Sequence, residues 1–117
     1  MIVLAVALLL AGQAAPRVVE VSPAVNAEIP AGKVAIKVTF DQPMKPGGWS
    51  YVARDKASYP TCAAMPTQSK DGRSFTLDCT VEAGKDYWIG FNSARFTNFR
   101  SVGGVPAVPA LLQFSAH

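Results

Sequence analysis

Residues 33–40 read Lys33-Val34-Ala35-Ile36-Lys37-Val38-Thr39-Phe40. On an extended backbone Val34, Ile36, Val38 and Phe40 share one face, and Lys33, Ala35, Lys37 and Thr39 the other, which is the period-2 pattern of a half-buried strand. Ser74 to Val81 repeats it, with Phe75, Leu77, Cys79 and Val81 inward and Ser74, Thr76, Asp78 and Thr80 outward. The turn before that run, Lys70-Asp71-Gly72-Arg73, contains an Asp-Gly pair and predicts a type I′ hairpin with positive φ at its central residues. Downstream, Tyr87, Ile89 and Phe91 predict a third clear strand, and Leu112 and Phe114 a last one over residues 110–115.

The intervals are weaker. Val19 and Val21 open a first strand that Ser22-Pro23 interrupts, since proline cannot donate to a ladder. Trp49 to Val52 predicts a short strand, and Tyr59 to Met65 an irregular one carrying Cys62. Tyr87 follows a Gly-containing turn, Glu82 to Asp86, and suggests a tyrosine corner whose hydroxyl satisfies upstream backbone. No stretch has helical periodicity. A chain of 117 residues suits one domain, and about seven short strands at this spacing predict an all-β, immunoglobulin-like or fibronectin-III-like β-sandwich.

Residues 2–11, Ile-Val-Leu-Ala-Val-Ala-Leu-Leu-Leu-Ala, form an uncharged apolar run that Gly12-Gln13-Ala14-Ala15 follows. This is the h-region and small-residue cleavage segment of a secretory signal peptide. A membrane span needs about 20 apolar residues, and Pro16-Arg17 ends the run short of that, so no stable membrane insertion is expected once the signal is cleaved. Gly12 and Ala14 fit the −3 and −1 positions, giving a signal peptide over 1–14 and a domain over 15–117. Export to the periplasm or beyond puts Cys62 and Cys79 in an oxidising compartment, where an even count predicts a disulfide and two cysteines allow one pairing. The alternative is a pair of free core cysteines.

The formal charge of +3 is too small to point to nucleic acid and mildly favours anionic envelope polymers. The single histidine, His117, is the last residue and is expected to fray, which removes the imidazole that a Ser-His-Asp or Cys-His arrangement needs. Asp41, Asp55, Asp71, Glu82 and Asp86 fall in expected turns, and Asp78 faces outward from a strand, so paired-carboxylate catalysis has no candidate. No calcium loop, phosphate-cradling glycine motif or zinc spacing occurs. Met44 and Met65 read as core filler rather than a soft-metal pair. The expectation is no enzyme, no metal and no cofactor.

Several segments together carry a family resemblance: Val21-Ser22-Pro23, Phe40-Asp41-Gln42-Pro43-Met44, Asp71-Gly72-Arg73-Ser74-Phe75-Thr76-Leu77, Gly84-Lys85-Asp86-Tyr87, and Phe96 with Gly104, Pro106 and Phe114. The chain resembles the bacterial Ig-like domain of surface-layer proteins, the SbsA Ig-like type, over nearly all of residues 15–117. The resemblance implies an extracellular or periplasmic sandwich used as a spacer or adhesion unit, without shared catalytic residues. The opening is also similar to periplasmic copper-resistance carriers. Those need His and Met ligands, including one at or near the mature N-terminus, whereas this chain is expected to start Ala15-Pro16-Arg17 and its only histidine is His117, so copper binding of that kind is not expected.

The long connection from Asn92 to Pro109 is the expected recognition loop, because binding residues collect on loops of a rigid sandwich. The resemblance implies that Phe96 plugs the end of the core, leaving Arg95, Phe99 and Arg100 as the free surface. Trp88 is expected on the outward face of its strand, where with Trp49 and Tyr51 it forms an aromatic patch suited to glycan or protein; alternatively Trp49 is the core Trp and a loop covers Trp88. The reading is a non-enzymatic exported Ig-like binding or structural module of the cell envelope, with an envelope protein or glycan as partner. The alternative is a small periplasmic inhibitor or accessory subunit of a secreted enzyme, acting through the Arg95 to Arg100 loop.

Overall fold

The computed structural model describes residues 14–117, so the expected signal peptide, apart from Ala14, lies outside the described residues. Nine strands appear in chain order: β1 (Val18–Ser22), β2 (Ala27–Ile29), β3 (Gly32–Phe40), β4 (Tyr51–Val52), β5 (Thr61–Cys62), β6 (Thr67–Gln68), β7 (Ser74–Val81), β8 (Asp86–Phe91) and β9 (Ala110–Ala116). No helix occurs among the described residues. One sheet runs β1-β3-β7-β5, with β6 also on β7, and the other runs β2-β9-β8-β4. This is the ABED and GFC division of an immunoglobulin-type sandwich, and β2 adds a parallel strand beside β9.

The long strands follow the alternation in the sequence. Ile36, Val38 and Phe40 of β3, Phe75, Leu77, Cys79 and Val81 of β7, Tyr87, Ile89 and Phe91 of β8, and Leu112 and Phe114 of β9 are buried between the sheets. Fully burying side chains of this size contributes about 1.5–3 kcal/mol each. The tyrosine corner forms: the Glu82 N–H donates to the Tyr87 hydroxyl at 2.8 Å, and the Tyr87 ring stacks on Phe114 with centroids 5.4 Å apart. Cys62 and Cys79 are directly opposed across β5 and β7 and bonded, with Cα atoms 3.9 Å apart. The bond thus fastens a two-residue edge strand to an eight-residue one within a single sheet.

Several details differ from the sequence reading. Val19 is 62% exposed, because the register shifts between Val18 and Glu20 and turns Val18 and Val21 inward instead. Of the irregular strand expected over Tyr59 to Met65 only the two-residue β5 forms, and neither β2 nor β6 is foreshadowed by the sequence pattern. The 70–73 turn has positive φ only at Gly72, with the Gly72 N–H donating to the Ser69 carbonyl at 3.0 Å, so it is not type I′. His117 does not fray. Its N–H donates to the Ile29 carbonyl and its carbonyl accepts from Ala31, each at 2.9 Å, while its residue surface stays exposed.

Candidate binding face

The 92–109 connection is folded back onto the sandwich rather than free. Asn92 takes a positive φ of 64°, and its buried carboxamide bonds both the Phe99 backbone and the Ala107 carbonyl. Phe99 is thereby driven into the core at 0% exposure, where it packs against Phe40, Tyr51, Phe75 and Phe91 with centroids 5.3, 5.2, 5.1 and 6.2 Å away. The assignment of Phe99 to the surface is therefore corrected: Phe99 is the core plug, and Phe96 is 52% exposed. Arg100 is also not free. It is half-buried, and its guanidinium donates to the Thr97 hydroxyl at 2.8 Å and the Gly104 carbonyl at 3.3 Å, which clips the loop shut.

Arg95 remains on the surface, with its guanidinium carbon 5.5 Å from the centroid of the Phe96 ring. The Ser93 hydroxyl accepts the N–H groups of Arg95 and Phe96 at 3.2 and 3.0 Å, and the Ser93 N–H donates to the Phe96 carbonyl at 2.8 Å. This tight turn presents the stacked pair in one orientation. Phe96 borders a groove with Trp49, Val52 and Asn98. Trp49 itself packs against the core, and Tyr51 points inward to Phe91 and Phe99, so the expected Trp49, Tyr51 and Trp88 patch does not assemble as one surface.

Trp88 does lie on the outward face of the four-stranded sheet, half-buried. The register sets out a grid there: Glu28, Ser115 and Asp86 in one row, Gln113 and Trp88 in the next, and Leu111, Gly90 and Val52 in a third. Asn26 extends the second row, its N–H donating to the Gln113 carbonyl at 2.7 Å. The Trp88 indole leans over Gly90. A Cβ built at Gly90 would come within 3.2 and 3.3 Å of Trp88 Cζ3 and Cη2 and 3.0 Å of Val52 Cβ, closer than ordinary packing allows. Glycine at 90 is thus what lets the ring lie down on the sheet.

Trp88 borders two shallow depressions of about 350 Å³ each. One is lined by Asn26, Glu28, Arg54, Asp86 and Gln113, the other by Val52, Gly90, Ala94, Pro109 and Leu111. Leu111 is 45% exposed. The face therefore grades from acidic and amide groups, across an indole, to an aliphatic end. Sequence alternation places Trp88 here correctly. Phe96 and the grid partners of Trp88 depend on loop geometry and cross-strand register, which no local pattern reveals.

Asp41, Asp55, Asp71 and Glu82 have local partners. Asp71 accepts from the Ser69 hydroxyl at 2.6 Å and the Arg73 N–H at 3.0 Å, and these bonds hold its carboxyl below the usual range. Lys85 pairs with Glu82 at 2.6 Å, which lowers the Glu82 pKa and raises that of Lys85. Met44 is buried and Met65 is exposed. Among the described residues no group of three or more His, Cys, Asp or Glu side chains is placed to hold a metal ion.

The fold and this face define an immunoglobulin-like sandwich module. Residues 12–105 match the family model described as Bacterial Ig-like domain, and the chain belongs to that family. No curated protein matches it. Among solved structures it is similar to CopC from Methylosinus trichosporium OB3b, with a TM-score of 0.62 and 20% identity over 86% of this chain and 92% of that one; at that identity the likeness shows the shared sandwich fold.

Proposed function

We propose that this chain is an exported, non-enzymatic Ig-like module of the bacterial cell envelope, and that it binds its partner on the outer face of the β2-β9-β8-β4 sheet. The observation that carries this reading is the grid itself: Trp88 held flat by Gly90, an exposed Leu111, and Asn26, Glu28, Asp86 and Gln113 with no side-chain hydrogen bond to other described residues. An aromatic beside uncommitted polar groups on a rigid sheet is a recognition surface rather than packing. Family membership, the apolar leader at 1–14 and the Cys62–Cys79 bond support export. The surface-layer type within the family is the narrower form of the same reading.

A second reading, an inhibitor or accessory subunit, draws support from the Arg95 and Phe96 pair. An Arg stacked on an exposed aromatic in a fixed turn is the residue chemistry of interface hot spots. Its surface is Arg95 with Phe96, not the Arg95, Phe99 and Arg100 set.

Intact mass of the protein recovered from an envelope fraction, before and after reduction with thiol blocking, tests export. A chain starting at Ala15, lighter by two hydrogens than its reduced form, is the expected result. A full-length mass with two free thiols overturns the export reading.

A further inference from the structure

We infer that the polar half of the Trp88 face is a glycan site for an uncharged or amino-sugar chain, with one pyranose ring against Trp88 and its hydroxyl rim held by Asn26, Glu28, Asp86 and Gln113. The inference rests on the binding-face reading above and adds the ligand class. A pyranose has an apolar C–H face and an edge of hydroxyl donors and acceptors, so it needs an aromatic surface bordered by polar groups that are not already committed. The depression bordered by Trp88 offers that combination: two carboxylates and two carboxamides line a volume of about 350 Å³, at the lower end of small-ligand clefts.

Charge decides among ligand classes. Glu28 and Asp86 face Arg54 as the one basic group in the lining, and Arg54 is already paired with Asp55 at 3.4 Å. The local field is therefore acidic although the whole chain is basic. Carboxylates accept from sugar hydroxyls and from the ammonium of an amino sugar, and they repel uronate, phosphate and nucleic acid. A protein partner fits this half poorly, because the buried centre of a protein interface is depleted in charged residues, whereas here Glu28 and Asp86 line the depression beside the aromatic ring.

The test is a heteronuclear NMR titration of the protein with four probes: cellotetraose, the N-acetylglucosamine tetramer, the glucosamine tetramer and tetragalacturonate. The first three, or a subset of them, are expected to move the Trp88 indole N–H and the Asn26 and Gln113 carboxamide signals, while tetragalacturonate leaves them in place. Trp88→Ala is expected to weaken binding roughly tenfold to a hundredfold, the range of one aromatic stacking contact. Gln113→Ala and Asp86→Asn are expected to weaken it about three- to tenfold each. Trp88→Phe keeps a ring and guards against a mere loss of folding, retaining measurable binding.

If no probe moves these signals, or Trp88→Ala binds as well as the parent, the glycan inference is overturned. Retention on an envelope fraction separates the two levels. Trp88-dependent retention without saccharide binding removes the ligand class and leaves the binding face standing; retention indifferent to Trp88 removes both.

Discussion

Asn92 and Phe99 grip each other's chain through a closed pair of hydrogen bonds: Asn92 Oδ1 accepts the Phe99 N–H at 2.9 Å, and Asn92 Nδ2 donates to the Phe99 carbonyl at 2.9 Å. A third bond, from the same Nδ2 to the Ala107 carbonyl at 3.1 Å, ties both halves of the long connection to one side chain. All three are buried, where an unsatisfied backbone group costs about 1–3 kcal/mol. Asn92→Ala removes them and also leaves a Cβ-bearing residue without a local bond at φ 64°. We expect a loss of about 3 kcal/mol or more in denaturant unfolding, with the fold otherwise kept.

Phe96 and Phe99 are three residues apart and should respond to truncation by very different amounts. Phe99→Ala opens a hole at the meeting point of four aromatic rings and is expected to cost about 3–5 kcal/mol. Phe96→Ala removes a largely exposed ring and is expected to cost under about 1 kcal/mol. Paired urea melts measure the contrast, and equal losses would contradict the placement of these side chains.

Cys62 and Cys79 enclose a loop of sequence separation 17. In the chain-entropy account a bond of that span contributes about 3 kcal/mol. Urea midpoints with and without reductant should differ accordingly, and the Cys62→Ala, Cys79→Ala double variant should match the reduced protein. No difference would mean that β5 stays on β7 without the bond.

Tyr51 gives a pH dependence with a defined sign. Burial, and secondarily the neighbouring Tyr59, push its phenol well above the ordinary range, and burial raises Tyr59 too. A group raised in the folded state contributes stability fully present below the unfolded value, about 10 for tyrosine, and lost as pH rises from there towards the folded value. Stability should therefore fall above about pH 10, alongside the Glu82–Lys85 pair, whose raised lysine acts in the same direction. The Tyr51 hydroxyl is buried and has no hydrogen-bond partner among the described residues. Tyr51→Phe is thus expected to cost less than about 1 kcal/mol at neutral pH, or to stabilise, and to flatten the alkaline decline. Thermal melts from pH 7 to 11.5 show both effects.

The strands that build the sandwich were legible because each is long enough to show period 2 and buries one face; Ile36, Val38, Leu77, Ile89 and Leu112 were placed by alternation alone. The Tyr87 corner was legible because it is a local device, and the cysteine pair because two cysteines in an oxidising compartment allow one pairing. What failed was set by non-local or main-chain geometry. The bulge after Val18 reverses the side-chain parity in β1, and β2 is three residues long and exists by pairing with β9. Phe96 and Phe99 are equally apolar, and only the Asn92 carboxamide, acting across seven and fifteen residues, decides which one enters the core. On the candidate face Trp88 was readable as outward, but its neighbours Asn26, Glu28 and Gln113 are brought to it by register, and Arg54 by a loop.

The central claim is that this Ig-like module binds through the outer face of its four-stranded sheet, and retention on an envelope fraction tests it most directly. Wild-type protein, Trp88→Ala and, on the opposite sheet, Lys37→Ala would be compared by quantitative co-sedimentation at physiological salt. The account predicts that wild type and Lys37→Ala are retained alike, while Trp88→Ala, folded as judged by its melt, binds roughly tenfold or more weakly. Equal retention of Trp88→Ala and wild type, or loss confined to Lys37→Ala, would contradict it.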